Sequence, residues 1–376
     1  MPNIELSISP NYVNGWTVVD ATRELFQNAS DQATLDPENP LIFDYSEKTL
    51  LMRIGNRKSE LTTASLLLGN STKRKDERLI GQFGEGYKLA LIVLLRLGKR
   101  VTIYNKPEVW TPSIKHSEVF DAPILNIHTK KYRFKECPVD DLMFEVAGIT
   151  PNEFALISDS NRYFHETDIA SEIPHEYGII LTDPRYQGQI FVNGLFVNRI
   201  DKARYGYDLK PAHIQIGRDR DLVDTWSIFY KTAQMWACQK EHAELVNEMI
   251  EAETPDLEKI EHCVWQLPEH TKEYIYTGFV KRNGVEAVAC SNEEQAQRAR
   301  DLRGDKVKIV MVNKALKAIL DTCPQFRKEE AEKLVKETPL DYVLKMLAHP
   351  DKDHFKPAIR AEIEALAVVA KYWTWK

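Results

Sequence analysis

The sequence predicts an α+β protein of two or three domains, and three observations carry that prediction. A helix with polar landmarks at Glu24, Asn28 and Asp31 precedes a hairpin pattern, a glycine-rich turn opens a second helix that is apolar on nearly every side, and the last third alternates strand and helix. At 376 residues the chain exceeds one ordinary domain and can bury a real core.

In chain order, apolar patches at Ile4 to Ile8 and Trp16 to Val19, separated by Pro10 and Gly15, predict an extended arm and a turn into the first helix. Asp20 is a better cap candidate than Thr22. Spacings of four and then three residues place Glu24, Asn28 and Asp31 on one face, with Leu25 and Ala29 beside it and Phe26 pointing elsewhere. The helix runs to about Ala33, and Asp36-Pro37-Glu38-Asn39-Pro40 closes it. Leu41 to Tyr45 and Thr49 to Ile54, joined by Ser46-Glu47-Lys48, read as a hairpin, and Leu61 to Leu68, closed by Gly69, as a short helix.

The charged stretch Ser71 to Arg78 leads into Gly81-Gln82-Phe83-Gly84-Glu85-Gly86, which opens an apolar helix, Tyr87 to Leu97, that must be buried. Strands are expected at Val101 to Tyr104, Ile124 to Ile127 and Leu142 to Val146. Gly178 to Thr182 and Gln189 to Val197 suggest an antiparallel pair with a tight Asn193-Gly194 turn, followed by one long helix from about Asp224 to Glu251. Further on, Glu286 to Cys290 and Lys306 to Val312 flank a helix whose start, Ser291-Asn292-Glu293-Glu294, has capping-box spacing, which implies a parallel crossover. Helices are expected around Lys328 to Glu337, Leu340 to Leu347 and Pro357 to Tyr372.

Composition narrows the function classes. Hydrophobic residues at 43% and charged residues at 28% mark a globular chain. A net charge of -6 gives no global attraction to nucleic acid, so a nucleic-acid partner is not supported. The five scattered cysteines indicate neither a disulfide framework nor a zinc site, which points to a reducing, cytoplasmic setting. Met1 to Glu5 lacks signal-peptide character, and the longest apolar run, Leu89 to Leu95, is too short to span a bilayer.

Unsatisfied N–H groups of a glycine-rich turn at a helix start, reinforced by the helix dipole, suit an anionic phosphate, and Lys88 adds a formal charge in the first turn. The glycine pattern alone is neither the Walker nor the dinucleotide fingerprint. Together, however, Glu24-x-x-x-Asn28-x-x-Asp31, the hairpin, Ser71-Thr72-Lys73 and Ile80-Gly81-Gln82-Phe83-Gly84-Glu85-Gly86 resemble the ATP-binding domain of the gyrase, heat-shock chaperone, histidine-kinase and MutL (GHKL) superfamily. The lid motif is similar to the MORC version, and the resemblance covers about the first 110 residues.

The chain's patterns place junctions near residue 185 and near Thr254-Pro255, and make 255–376 an α/β and helical domain that could bind a protein partner. The resemblance implies that residues 1–185 form a two-layer α/β sandwich of the Bergerat type and that 186–254, with its long helix, is transducer-like. It further implies ATP and Mg2+ as cofactors, hydrolysis coupled to lid closure, and a homodimer, with the N-terminal arm as the piece that would exchange. Glu24 would activate the attacking water, Asn28 would complete the Mg2+ shell, and Asp31 would sit toward ribose or the pocket's water. Thr72, Lys73, Gly81, Gln82, Phe83, Gly84, Glu85, Gly86 and Lys88 would line the phosphate end.

The second motif departs from the family's Asp-x-Gly-x-Gly and reads Arg53-Ile54-Gly55-Asn56-Arg57-Lys58. Asn56 can accept from adenine through its amide oxygen, whereas a register placing Arg53 there cannot accept at all. Lys202, Arg218 and Arg220 are candidates for a basic residue that senses the γ-phosphate, or else belong to a surface ion-pair cluster. A non-hydrolysing nucleotide-binding scaffold is the rival reading, motivated by the altered second motif.

Overall fold

The computed structural model describes residues 3–67, 85–131, 141–166, 168–214, 225–303 and 306–326, together with residues 361 and 365. The chain divides into two units, Met1–Trp236 with Thr254–Glu258, and Ala237–Glu253 with Lys259–Lys376.

In the first unit the arm becomes strand β1 (Asn3–Leu6), which pairs antiparallel with a strand of the same chain. Thr17, rather than Asp20 or Thr22, caps helix α1 (Val18–Leu35). Asp20 serves instead as the reciprocal member of a capping box, its Oδ2 accepting from Thr17 N at 2.8 Å, and Thr22 is internal, its hydroxyl donating to Val18 O at 2.9 Å. The hairpin forms as expected, β2 (Leu41–Ser46) against β3 (Leu51–Asn56). The short helix expected at Leu61 to Leu68 is only a 3-10 turn at Thr63–Leu66, and Leu68 and Gly69 lie outside the described residues.

Helix α2 (Gly86–Arg96) is buried from Tyr87 to Leu94, as its all-round apolarity requires. Strands β4 (Arg100–Asn105), β5 (Glu108–Ser117), β6 (Ala122–Lys131) and β7 (Leu142–Ala147) complete an all-antiparallel sheet in the order β1-β6-β5-β4-β7-β3-β2. β5 carries Pro112, which has no N–H for a ladder. It is tolerated because β4 pairs with β5 only from Glu108 to Trp110, leaving β6 as the neighbour at Pro112. α1 packs over β2 and β3 and α2 over β4 and β5, with Met52, Ile54, Val101, Ile103, Phe144 and Val146 buried between the layers. This is the two-layer α/β sandwich that the sequence predicts.

The loop that follows the arm is gathered by one side chain. Arg96, in the last turn of α2, directs its guanidinium into the 10–16 loop and donates to the carbonyls of Pro10, Tyr12, Val13, Asn14 and Trp16 at 2.8 to 3.4 Å. A rigid fork of donors suits such a converging set, which an ammonium could not satisfy.

After helix α3 (Pro151–Asp159), a second sheet gathers β8 (Glu172–His175), β9 (Gly178–Leu181), β10 (Gln189–Val192), β11 (Leu195–Arg199) and β12 (Gly206–Leu209) in the order β11-β10-β12-β9-β8. The Asn193-Gly194 turn joins β10 to β11, with both residues at positive φ as a tight hairpin demands. β9 does not pair with β10, because β12 inserts between them, parallel to β10. The long helix expected from Asp224 to Glu251 is instead two, α4 (Thr225–Ala237) and α5 (Ala243–Glu251), interrupted at residues 238–242.

In the second unit, α6 (Glu269–Asn283) precedes β13 (Ala287–Cys290), α7 (Glu293–Arg303), β14 (Lys308–Met311) and α8 (Lys314–Thr322). β13 and β14 are parallel, as the strand-helix-strand pattern implies. The α7 cap is Asn292, one residue beyond the Ser291 expected, with Oδ1 accepting from Gln295 N at 2.9 Å and the Gln295 side chain reaching back to Ser291 N at 2.9 Å. Of the three C-terminal helices expected after Lys328, only Ala361 and Ala365 are among the described residues, and both are helical. Among the described residues no helix is long and apolar enough to cross a membrane.

Candidate functional site

Amphipathic spacing on α1 produces the polar face that the sequence suggests, and the fold withdraws it from bulk water. Glu24 is 1% exposed and Asp31 0%, while Asn28 is half-buried. Two carboxylates taken out of solvent on one helix face are costly, so they are seldom an accident of packing. Asn28 Nδ2 donates to Glu24 O at 2.9 Å, which commits the amide nitrogen, so any metal contact falls to the oxygen. A single hard oxygen one turn from a carboxylate fits Mg2+, which takes few protein ligands and keeps its waters or phosphates.

The opposite side of α1 explains its attitude. Phe26 packs edge-on to Phe164 at 5.1 Å and against Phe43 at 5.3 Å, and Ser30 Oγ accepts from Asn193 Nδ2 at 3.1 Å. The β10–β11 turn is itself held by Arg162, whose backbone N donates to Gly194 O at 2.8 Å and whose guanidinium pairs with Glu172 and Asp208. Asp208 Oδ1 accepts from Gly194 N at 2.9 Å. Burial raises the Asp208 carboxyl above its ordinary value, against the pull of the Gly194 N–H and Arg162.

The second-motif region takes one register. Alternation along β3 puts Met52, Ile54 and Asn56 on the α1 side, and sends Arg53 outward to Glu145, with both its Nε and Nη2 2.9 Å from Oε2. Arg53 therefore faces away from α1. Asn56 is 3% exposed, and its Nδ2 donates to Ala29 O at 2.9 Å and Asn39 O at 3.4 Å. Two carbonyl partners fix the amide orientation, so the Asn56 oxygen is the atom that remains to accept. Gly55 answers a different need: a Cβ there would meet Leu142 O at 2.0 Å, so the neighbouring strand β7 requires glycine.

The chain entering the glycine-rich stretch is pinned at four points that the sequence does not announce. Asn39 Nδ2 donates to Ser59 Oγ at 2.8 Å, Asn105 exchanges bonds with Leu61 N and O at 2.8 and 2.9 Å, Tyr87 OH donates to Ser65 O at 2.9 Å, and Lys88 Nζ donates to Leu67 O. Asn39 Oδ1 is buried with no partner of its own, beside Asn56. The partners are 20 to 44 residues apart, so no local pattern could reveal them.

Lys88 sits in the first turn of α2 as expected, yet it is wholly buried, with its ammonium also 5.5 Å from the Tyr87 ring centroid. Burial pulls its pKa down to about 8, with Glu85 opposing the shift. Glu85 and Gly86 begin α2, where the Glu85 carbonyl accepts from Lys88 N and Leu89 N. Thr72, Lys73, Gly81, Gln82, Phe83, Gly84, Arg218 and Arg220 lie outside the described residues. Lys202 occupies the turn after β11, at the end of the second sheet opposite Asn193 and Ser30, roughly 10–15 Å along the strands.

No protein-family model matches the chain, and no curated protein matches it. Among solved structures it is similar to the ATPase region of Saccharomyces cerevisiae topoisomerase II, once bound to ICRF-187 (dexrazoxane), at 11% identity and a TM-score of 0.32, and once described without that compound, at 10% and 0.32. A third is the ATPase and transducer domains of DNA topoisomerase II from Balamuthia mandrillaris, at 11% and 0.31. Each match covers 48% of this chain and only 60 to 62% of the other.

Proposed function

We propose that the chain is a Mg2+-dependent ATPase whose nucleotide cycle drives lid closure and a conformational or dimerisation switch. The observation that carries this reading is the α1 face, where Glu24 and Asp31 are buried within one helical stripe and Asn28 lies between them. In this reading Glu24 orients and deprotonates the attacking water, Asn28 supplies the protein oxygen to Mg2+, and Asp31 faces the sugar end. Bound Mg2+ would neutralise charge on the phosphates. Asn56 accepts from the adenine amino group through the oxygen that its bonds to Ala29 and Asn39 leave over, and Lys88 holds the entry to the glycine-rich stretch through Leu67 O.

ATP hydrolysis by the purified chain tests this. Glu24→Gln should lower turnover by at least about 100-fold, the lower end for a general base, while calorimetry still detects ATP binding with Mg2+ present. Equal turnover in the variant would remove Glu24 from the mechanism. A second reading, a nucleotide-binding scaffold without hydrolysis that recruits a protein partner, is favoured by the neutral Asn56 where the superfamily has a carboxylate. Calorimetric binding with no turnover in the parent chain would select it. A homodimer and a cytoplasmic setting complete the first reading, and sedimentation with and without an ATP analogue tests the dimer.

A further inference from the structure

The turn between β8 and β9 gathers basic groups from four parts of the first unit. Tyr177 stands at the centre: Lys231 Nζ, from α4, lies over its ring at 4.0 Å from the centroid, and the rings of His175 and His213 meet it edge-on at 4.8 and 4.9 Å. Lys210, just past β12, donates to Glu176 O at 2.8 Å. His175 Nδ1 accepts from Tyr177 N at 3.2 Å, so the neutral ring carries its proton on Nε2, as an outward donor. Glu176 is the acid of the group.

Gathering these groups has a cost that shows at His175 and Lys231. Burial, with Lys210, His213 and Lys231, holds His175 below the ordinary imidazole range against the pull of Glu176, and burial lowers Lys231 against the same carboxylate. A doubly charged anion among them would relieve that repulsion and meet several donors at once. The cluster does not suit a nucleic-acid strand. Tyr177 already carries an ammonium over its ring and two imidazoles against it, which leaves poor room for base stacking, and the chain's net charge of -6 would repel a long polyanion.

We propose that the β8–β9 turn is a binding site for a small tetrahedral dianion of the sulfate or phosphate class, held by Lys210, Lys231, His175 and His213. It is distinct from the α1 face. Sheet order places the turn two strand positions from Asn193, which touches Ser30 of α1, so the two lie roughly 10 Å or more apart.

Sulfate is the probe of choice, because it stays a dianion across the working pH range. Titrated into the full chain, it should shift the His175 and His213 ring proton resonances along one saturable curve, and inorganic phosphate should follow the same curve while chloride does not. Lys231→Met and Lys210→Met should each weaken sulfate binding by about fivefold or more. Lys231→Arg should retain it, which separates lost charge from lost packing on Tyr177. Absence of saturation, equal binding by both Met variants, or an oligonucleotide that shifts the same resonances at far lower concentration than sulfate would each overturn the proposal.

Discussion

On α1, Glu24 and Asp31 lie seven positions apart on one helix, while at the second sheet Asp208 and Asp256 are met by donors 14 to 52 residues away. Asp256 is 0% exposed and accepts from Arg204 N at 2.7 Å, Tyr205 N at 3.2 Å and Tyr207 OH at 2.5 Å, and Trp236 Nε1 donates to that same hydroxyl at 2.9 Å. Both regions bury carboxylates. At Asp256 the donors are two backbone amides and a buried phenol that would be stranded without it, which is the signature of a structural group. On α1 the acids share a face with Asn28, whose amide oxygen suits a metal, and that neighbour is why we propose the α1 face as the nucleotide site. Burial alone therefore does not identify function; what surrounds the acid does.

Removing Asp256 should break the first unit most. Asp256→Ala takes the acceptor from three donors, two of them buried, and should lower stability by about 3–5 kcal/mol, read by urea denaturation, and by more than Glu24→Gln does. Reversed magnitudes would invert the assignment of the two regions. Asn56→Asp sharpens it further: a carboxylate there would face the carbonyls of Ala29 and Asn39, so the aspartate of the motif that the sequence resembles should destabilise this chain by about 2–3 kcal/mol. If the variant is neutral, the two bonds from Asn56 Nδ2 do not hold.

Arg96→Met tests the arm in the same terms, with an expected loss of about 2 kcal/mol as the carbonyls of the 10–16 loop turn to water, and with amide exchange of β1 faster than that of β3. The smallest effect concerns Lys88. Its pKa is lower folded, at about 8, than the ordinary 10.5, so between these values the unfolded chain binds a proton that the native state has released. Stability contributed by this group therefore rises with pH, by about 1 kcal/mol between about pH 8 and about pH 9. Lys88→Met should remove that rise.

Much of the first sheet and its helices was legible because the signals are local. All-round apolarity identifies α2, and alternation with a short polar link identifies β2 and β3. The spacing of Glu24, Asn28 and Asp31 identifies one face. The misses share a cause in distance or competition. β1 and β5 are strands because β6 lies between them, and Pro112 reads as a breaker until its missing N–H is seen to fall beyond β4. Thr17 wins the α1 cap because Asp20 is worth more as its reciprocal partner. The α4–α5 break at 238–242 has no glycine or proline to announce it. The buried network of Asp256, and the bonds from Asn39 and Asn105 that pin the chain before the glycine-rich stretch, join residues no sequence window holds together.

The short segment Thr254–Glu258 belongs to the first unit, although the chain on both sides of it belongs to the second. A truncation ending at Trp236 would look natural from the helix boundary, yet it would cut away Asp256 and leave the Tyr207 hydroxyl and two main-chain amides of the second sheet without their acceptor. Any fragment meant to carry the first unit alone must run past Glu258, and limited proteolysis of the intact chain should leave no stable product that stops between the end of α4 and that residue.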